Sequence, residues 1–270
     1  MSNDDTIING NWALILGASS GFGETISLAL AEAGMNIFGV HLDRRAALPN
    51  VERIREQIAE TGRESRFFNI NAAQGEKRAE TLETIAKVLE EKQNPGGVRV
   101  LVHSLAFGTL KPFIAEDTKG MISDSNINMT LDVMAHSLIY WTQALVNKKL
   151  MQGPARIFAM TSAGGHRVWP TYGAISAAKS ALESHIRQLA VELAPAGITA
   201  NSIQAGVTIT PALKKIPGNE TIIQNALNAN PSGRLTTPED VAGAIVALCS
   251  PKTRWMTGNV IKTDGGEDLI

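Results

Sequence analysis

The chain has 270 residues, of which 44% are hydrophobic and 19% charged, with a formal net charge of -1. That length suits one large α/β domain with a core of its own, and a nearly neutral chain carries no electrostatic footprint for nucleic acid. The single cysteine, Cys249, excludes an internal disulfide framework, and its place in the apolar run VAGAIVALCS makes it a buried, inert thiol.

The polar, acidic start MSNDDTIINGN has no apolar core or cleavage pattern, and no stretch approaches the roughly 18 uninterrupted apolar residues of a membrane span. The expectation is a soluble cytoplasmic protein with no membrane partner. Short apolar runs rich in β-branched residues then recur at 12–18, 35–42, 66–71, 99–106, 155–162, 198–206 and 259–266. Stretches of helical period lie between them, clearest at 23–34 and 179–197. Strands that read as continuous apolar runs are buried on both faces, so this alternation predicts a doubly wound parallel sheet of the Rossmann type, in three αβα layers and a single domain.

Gly34 and Gly197 follow their helices where a left-handed cap is needed, and Pro195 cannot continue the second helix. Residues 207–232 break the alternation with Pro and Gly, and predict a flap near the site, at about 207–230, with a short helix inside.

Gly17, Gly21 and Gly23 lie between the first strand and the first helix, where tight turns and close backbone approach let helix N-terminal amides cradle a pyrophosphate. At the end of the second strand stand Asp43, Arg44 and Arg45. The acid suits the ribose of NAD and the arginines suit the extra phosphate of NADP, so the reading favours NADP(H) with NAD(H) as the alternative. No cluster of His, Cys or carboxylates has metal-ligand spacing, and no Gly-x-Ser-x-Gly elbow follows a strand, which disfavours a Ser-His-Asp hydrolase.

Tyr172 and Lys179 are separated by six residues in WPTYGAISAAKSALE. If a helix begins near 170, positions seven apart lie two turns along on nearly one face, about 10 Å in rise, so both side chains reach one cleft.

With GASSGFG, Tyr172 and Lys179, the chain resembles the short-chain dehydrogenase/reductase family over residues 10–266. LVHSLAFG and QAGVTITPA, together with the Tyr-x6-Lys spacing, are similar to its enoyl-acyl-carrier-protein reductases. The resemblance implies NAD(P)H-dependent reduction of the trans-2 double bond of an enoyl thioester, carried on acyl carrier protein or coenzyme A, in fatty-acid synthesis. The usual family spacing is one helical turn shorter and suits an acid at a carbonyl carbon that takes hydride. A donor further out suits an enolate oxygen two carbons from the reduced carbon. By the family's pattern Tyr172 donates to the enolate, Lys179 holds the nicotinamide ribose, and counting back from Lys179 reaches Ser162 as a third catalytic candidate. The same pattern places Gly17, Ser19, Ser20, Gly21, Phe22, Gly23, Arg44, Asn69, Ile70, Ser104, Leu105, Ala106, Gly206, Thr208 and Thr210 along the cofactor. The helix asparagine of the family is replaced by Met134, while His103 is assigned proximity to cofactor only, His136 packing or an interface, and His166 a loop surface. The helices around 118–150 and 172–195 imply a homotetramer. A ketone or 3-oxoacyl reductase using Ser162 and Tyr172, and a non-catalytic dinucleotide-binding regulator, are the alternatives.

Overall fold

The computed structural model describes residues 7–94 and 96–270. The first six residues of the polar start, read above as carrying no leader, lie outside the described residues. Seven parallel strands form one sheet in the order β3-β2-β1-β4-β5-β6-β7. They are β1 (Trp12–Leu16), β2 (Asn36–His41), β3 (Ser65–Asn69), β4 (Val98–His103), β5 (Ala155–Ser162), β6 (Ile198–Ala205) and β7 (Val260–Thr263). Each falls within two residues of a predicted apolar run at its start. β1 is buried along its whole length, as its uninterrupted WALIL requires, whereas the outermost strands β3 and β7 keep exposed residues.

Helices cover both faces. On one side α1 (Gly21–Glu32), α2 (Leu48–Glu60) and α8 (Pro238–Leu248) enclose a core that includes Ile15, Ile26, Leu30, Ile58 and Ile245. On the other, α3 (Gly75–Glu91), α4 (Asp124–Leu131), α5 (Ser137–Asn147) and α6 (Gly173–Leu193) bury Leu82, Leu138, Trp141 and Leu182 against Leu14, Leu101 and Ile157. The strand order reverses between β1 and β4, so loops following these strands diverge and leave a crevice at their carboxyl ends, where ligands of such sheets bind.

α4 and α5 are one continuous rod interrupted by a π turn at Asp132–His136. Met134, the residue standing in for an asparagine, is buried within that turn, a type of bulge that gathers at functional sites. Gly197 closes the end of α6 at φ 70°, with Pro195 in the 3-10 turn before it. A short helix, α7 (Asn219–Ala229), lies within residues 207–230. Among the described residues, no helix is long and apolar enough to cross a membrane. Cys249 is buried and desolvation pushes its thiol up to about 12, which leaves it inert.

Candidate active site

The glycine loop is set by backbone contacts. A Cβ on Gly23 would lie 2.0 Å from the Gly17 carbonyl oxygen, and one on Gly17 would lie 2.4 Å from that of Ser104. Gly17 also has φ 93°, in the left-handed region that favours glycine. Ser20 enters α1 with extended backbone and makes no side-chain cap, so the first-turn amides are left for another acceptor, as at an anion-binding helix end. Thr210, buried in the loop after β6, sits 3.5 Å from where a Gly21 Cβ would be. The loop after β6 therefore reaches across the crevice to the glycine loop, with Thr208 buried beside it and Gly206 at its root. These cradles fit the diphosphate of a dinucleotide.

Ser19 keeps its carbonyl bonded to Asn50 at 2.8 Å, Ser104 is tied to Leu16, and Phe22 packs against the α1 core. Leu105 is half-buried on the sheet while Ala106 is exposed at the mouth. At the end of β2, the Asp43 carboxylate bonds His41 Nδ1 at 2.9 Å. The Asn69 amide is occupied, accepting from the Asp43 amide and donating to the Asp43 carbonyl, both at 3.0 Å. Asn69 therefore staples two strand ends, and Ile70 is bonded to His41 there. Arg44 and Arg45 stand exposed beside that strand end.

On the far side of the crevice, Ser162 ends β5 and Tyr172 immediately precedes α6, which starts at Gly173 rather than near 170. The chain arrives through Thr171 at φ 65°, an outlier for a β-branched residue, and the Tyr172 amide closes a turn on the Trp169 carbonyl. A Cβ on Gly164 would meet the Tyr172 ring at 2.6 Å and Ser162 Oγ at 3.2 Å. Gly164 thus leaves space for the two to approach. Burial raises the Tyr172 pKa; Ser162, close beside the phenol without completing a hydrogen bond of normal geometry, acts against that rise.

Lys179 lies inside the same wall, and its ammonium donates to the Met160 carbonyl at 2.6 Å. Burial pulls its pKa down to about 8 against the opposing field of Glu183. His103, at the end of β4, is fully buried, and burial followed by the charge of Lys179 pushes it down to about 3. Its Nε2 is 2.9 Å from Ser137 Oγ, whose own proton goes to the Val133 carbonyl at 2.8 Å. The hydroxyl must therefore accept, so His103 carries its proton on Nε2 as a neutral ring. His136 meets His185 at 3.0 Å between helices, which agrees with the packing role expected of it.

The structure thus brings Ser162, Tyr172 and Lys179 to one wall and Gly17, Gly21, Gly23 and Thr210 to the other. Sequence reasoning missed Thr171, Gly164 and two carboxylates from the far end of the chain, Glu267 and Asp268. His166, expected as plain loop surface, is half-exposed but bonded to Asp268 at 3.1 Å. Among the described residues there is no group of three or more metal-ligating side chains.

Residues 17–267 match a family described as enoyl-(acyl carrier protein) reductase. The enoyl-[acyl-carrier-protein] reductase [NADH] of Aquifex aeolicus is 33% identical over 71% of this chain and 69% of that protein. Its crystal structure superposes with a TM-score of 0.82 over 98% of both chains. The 1-cyclohexenylcarbonyl-CoA reductase of Streptomyces collinus is 27% identical over 96% of this chain and 87% of its own. The 7alpha-hydroxysteroid dehydrogenase of Escherichia coli K12 is 25% identical over 98% of both.

Proposed function

The chain belongs to the short-chain dehydrogenase/reductase family, within its enoyl-acyl-carrier-protein reductase-like group and hence among oxidoreductases, and on that premise we propose that it reduces the trans-2 double bond of an enoyl thioester. The single observation that carries this reading is the position of Tyr172, before α6 and six residues clear of Lys179, with its ring against Gly164. A donor so displaced from the lysine suits an oxygen remote from the carbon that takes hydride.

When bound, the reduced nicotinamide supplies that hydride; the residues of the chain bind, orient and stabilise charge. The uncapped end of α1, Gly17, Gly21, Gly23 and Thr210 hold the diphosphate. Lys179 spends one proton on Met160 and keeps two for ribose hydroxyls, and its charge at neutral pH favours negative charge nearby. Tyr172, kept protonated by burial, donates to the enolate oxygen as charge appears there. Solvent protonates the α-carbon.

Relatives named for NADH, together with an Asp43 carboxylate held at the strand end by His41, favour NADH over NADPH. The acyl chain would lie against the exposed apolar side chains that flank Tyr172, Phe113 at Gly173 and Val168 next to Trp169, beside a flap spanning 207–230. There Trp169 bonds the Pro217 carbonyl at 3.1 Å, and Leu213 is buried. The carrier is acyl carrier protein or coenzyme A, the assembly a homotetramer and the compartment cytoplasmic.

One observation favours a second reading: Ser162 beside Tyr172 also suits a carbonyl oxygen, so a ketone or 3-oxoacyl reductase is the competing activity. Crotonyl and acetoacetyl thioesters assayed side by side, each with NADH and NADPH, separate the two. The expected result is crotonyl reduction with NADH, reduced about 100-fold or more in Tyr172→Phe with cofactor affinity unchanged. Exclusive turnover of the acetoacetyl thioester, or full crotonyl activity in that variant, overturns the assignment.

A further inference from the structure

The turn that follows β7 bonds to both walls of the crevice. Asp264 is buried, and its carboxylate accepts from the Gly266 amide at 3.0 Å and the Asp268 amide at 3.2 Å, folding residues 264–269 back on themselves. That places Glu267, also buried, with its carboxylate accepting from the Val207 amide at 2.9 Å. Val207 is the first residue beyond Gly206, where the loop toward Thr210 begins. The far end of the flap is held too, since Asn230 donates to the Asp264 carbonyl at 2.9 Å.

Asp268 grips the opposite wall. Its side chain is only 5% exposed, yet it accepts from Arg167 Nε at 2.8 Å, Lys262 Nζ at 2.8 Å, Gln204 Nε2 at 2.9 Å and His166 Nε2 at 3.1 Å. Arg167 and His166 belong to the segment 163–172 that runs from Ser162 to Tyr172. That segment contains the left-handed Thr171, a conformation that persists only where surroundings over-determine it. Lys262 on β7 and Gln204 on β6 anchor the carboxylate to the sheet, so Asp268 connects rigid strands to the loop bearing the phenol.

We propose that residues 264–269 form a positioning clamp for the reaction, with Asp268 setting the loop that aims Tyr172 and Glu267 setting the loop that closes over the cofactor from Val207 to Thr210. Neither carboxylate touches the reacting atoms. Each acts through the segment it holds, and the two arms are separable because they end on different walls. An error of about 1 Å at a distance from the chemistry costs roughly 100-fold in rate, which sets the scale of the effect. The proposal rests on the reading of Ser162, Tyr172 and Lys179 as the reaction centre.

The test compares Asp268→Asn, Glu267→Ala and Arg167→Ala in the full chain. Hydrogen–deuterium exchange is followed separately in 163–172 and 206–212, and kinetics use whichever thioester, crotonyl or acetoacetyl, the unmodified protein turns over. Asp268→Asn should speed exchange in 163–172 and lower kcat by about tenfold or more, with KM changed less than about twofold and 206–212 still protected. Glu267→Ala, which removes the acceptor of the Val207 amide, should speed exchange in 206–212 and raise KM for the cofactor, leaving 163–172 protected. Arg167→Ala removes one of the two loop-side partners of Asp268 and leaves His166, acts at a half-exposed residue, and reports even if Asp268→Asn fails to fold. Exchange rising equally in both segments, or activity falling only with the folded fraction, overturns the clamp. If neither thioester is turned over, the proposed activity fails while segment-specific exchange still decides the clamp.

Discussion

Two strand-to-helix turns carry the site, and they obtain their shapes in opposite ways. From β1 to α1 the chain turns through Gly17 and Gly21, both at positive φ, and the bare Cα atoms of Gly17 and Gly23 pack on backbone carbonyls. From β5 to α6 it also turns through a positive φ, but the residue is the β-branched Thr171. The first turn is held by what its own residues lack. The second is held by distant partners, through Asp268 on Arg167 and His166 and through Trp169 on Pro217. A glycine cradle can thus be written locally, whereas the placement of Tyr172, the proposed proton donor, depends on the whole fold.

The sharpest way to break the first turn is Gly23→Ala. The added methyl would lie 2.0 Å from one backbone atom and 2.8 Å from another, neither of which can rotate aside. The loop must open by about 1 Å or more to reach ordinary contact, which disrupts the amide cradle and costs about 1–3 kcal/mol of stability. We expect NADH affinity, measured by fluorescence titration, to fall about 100-fold or more in protein that remains folded. Unchanged affinity would show that the cradle lies elsewhere.

The second region carries its own cost in Lys179. Its folded pKa, about 8, lies below the ordinary 10.5, so between those values the unfolded chain binds more protons and stability rises with pH. Below about pH 8 the full cost of the buried charge is present, on the order of 3 kcal/mol. Lys179→Met should therefore be more stable than the parent at pH 7 without cofactor, with the gap closing toward pH 10 in urea unfolding. Parallel pH profiles for the two proteins would refute the cost.

The same contrast explains what was legible. The central strands were readable because the sheet is buried on both faces there and each is a short apolar run, the half-exposed β3 and β7 because their mixed runs sit between turns and helices, and the glycine loop because Gly17 and Gly23 leave a spacing. Tyr172 and Lys179 announced themselves by their separation. Asp268 did not, because His166 lies 102 residues away and Gln204 lies 64 away, and no local pattern records such pairings. Asn69, expected along the cofactor, carries a structural bond that its position did not announce, with its amide on the Asp43 backbone. The adjacent Arg44 and Arg45 suggested a phosphate partner, while the folded strand end holds the Asp43 carboxylate on His41 and leaves both arginines in solvent. The π turn around Met134 was invisible because apolar periodicity continues through it.

The smallest expected effect tests the comparison most directly, by giving the second turn the residue of the first. Thr171→Gly removes a β-branched side chain from left-handed backbone, relieving about 1–2 kcal/mol. Greater freedom of the unfolded chain takes back about 0.5–1 kcal/mol, and loss of the Thr171 hydroxyl, which is buried with no hydrogen-bond partner, removes a further penalty. The net change should be stabilising by about 1 kcal/mol, read as a small rise in Tm. If distant contacts aim Tyr172, as the Asp268 network indicates, kcat should fall by no more than a fewfold because those contacts survive the substitution. A rise in Tm accompanied by near-complete loss of turnover would show instead that the threonine itself, through its stiff backbone, holds the donor in place.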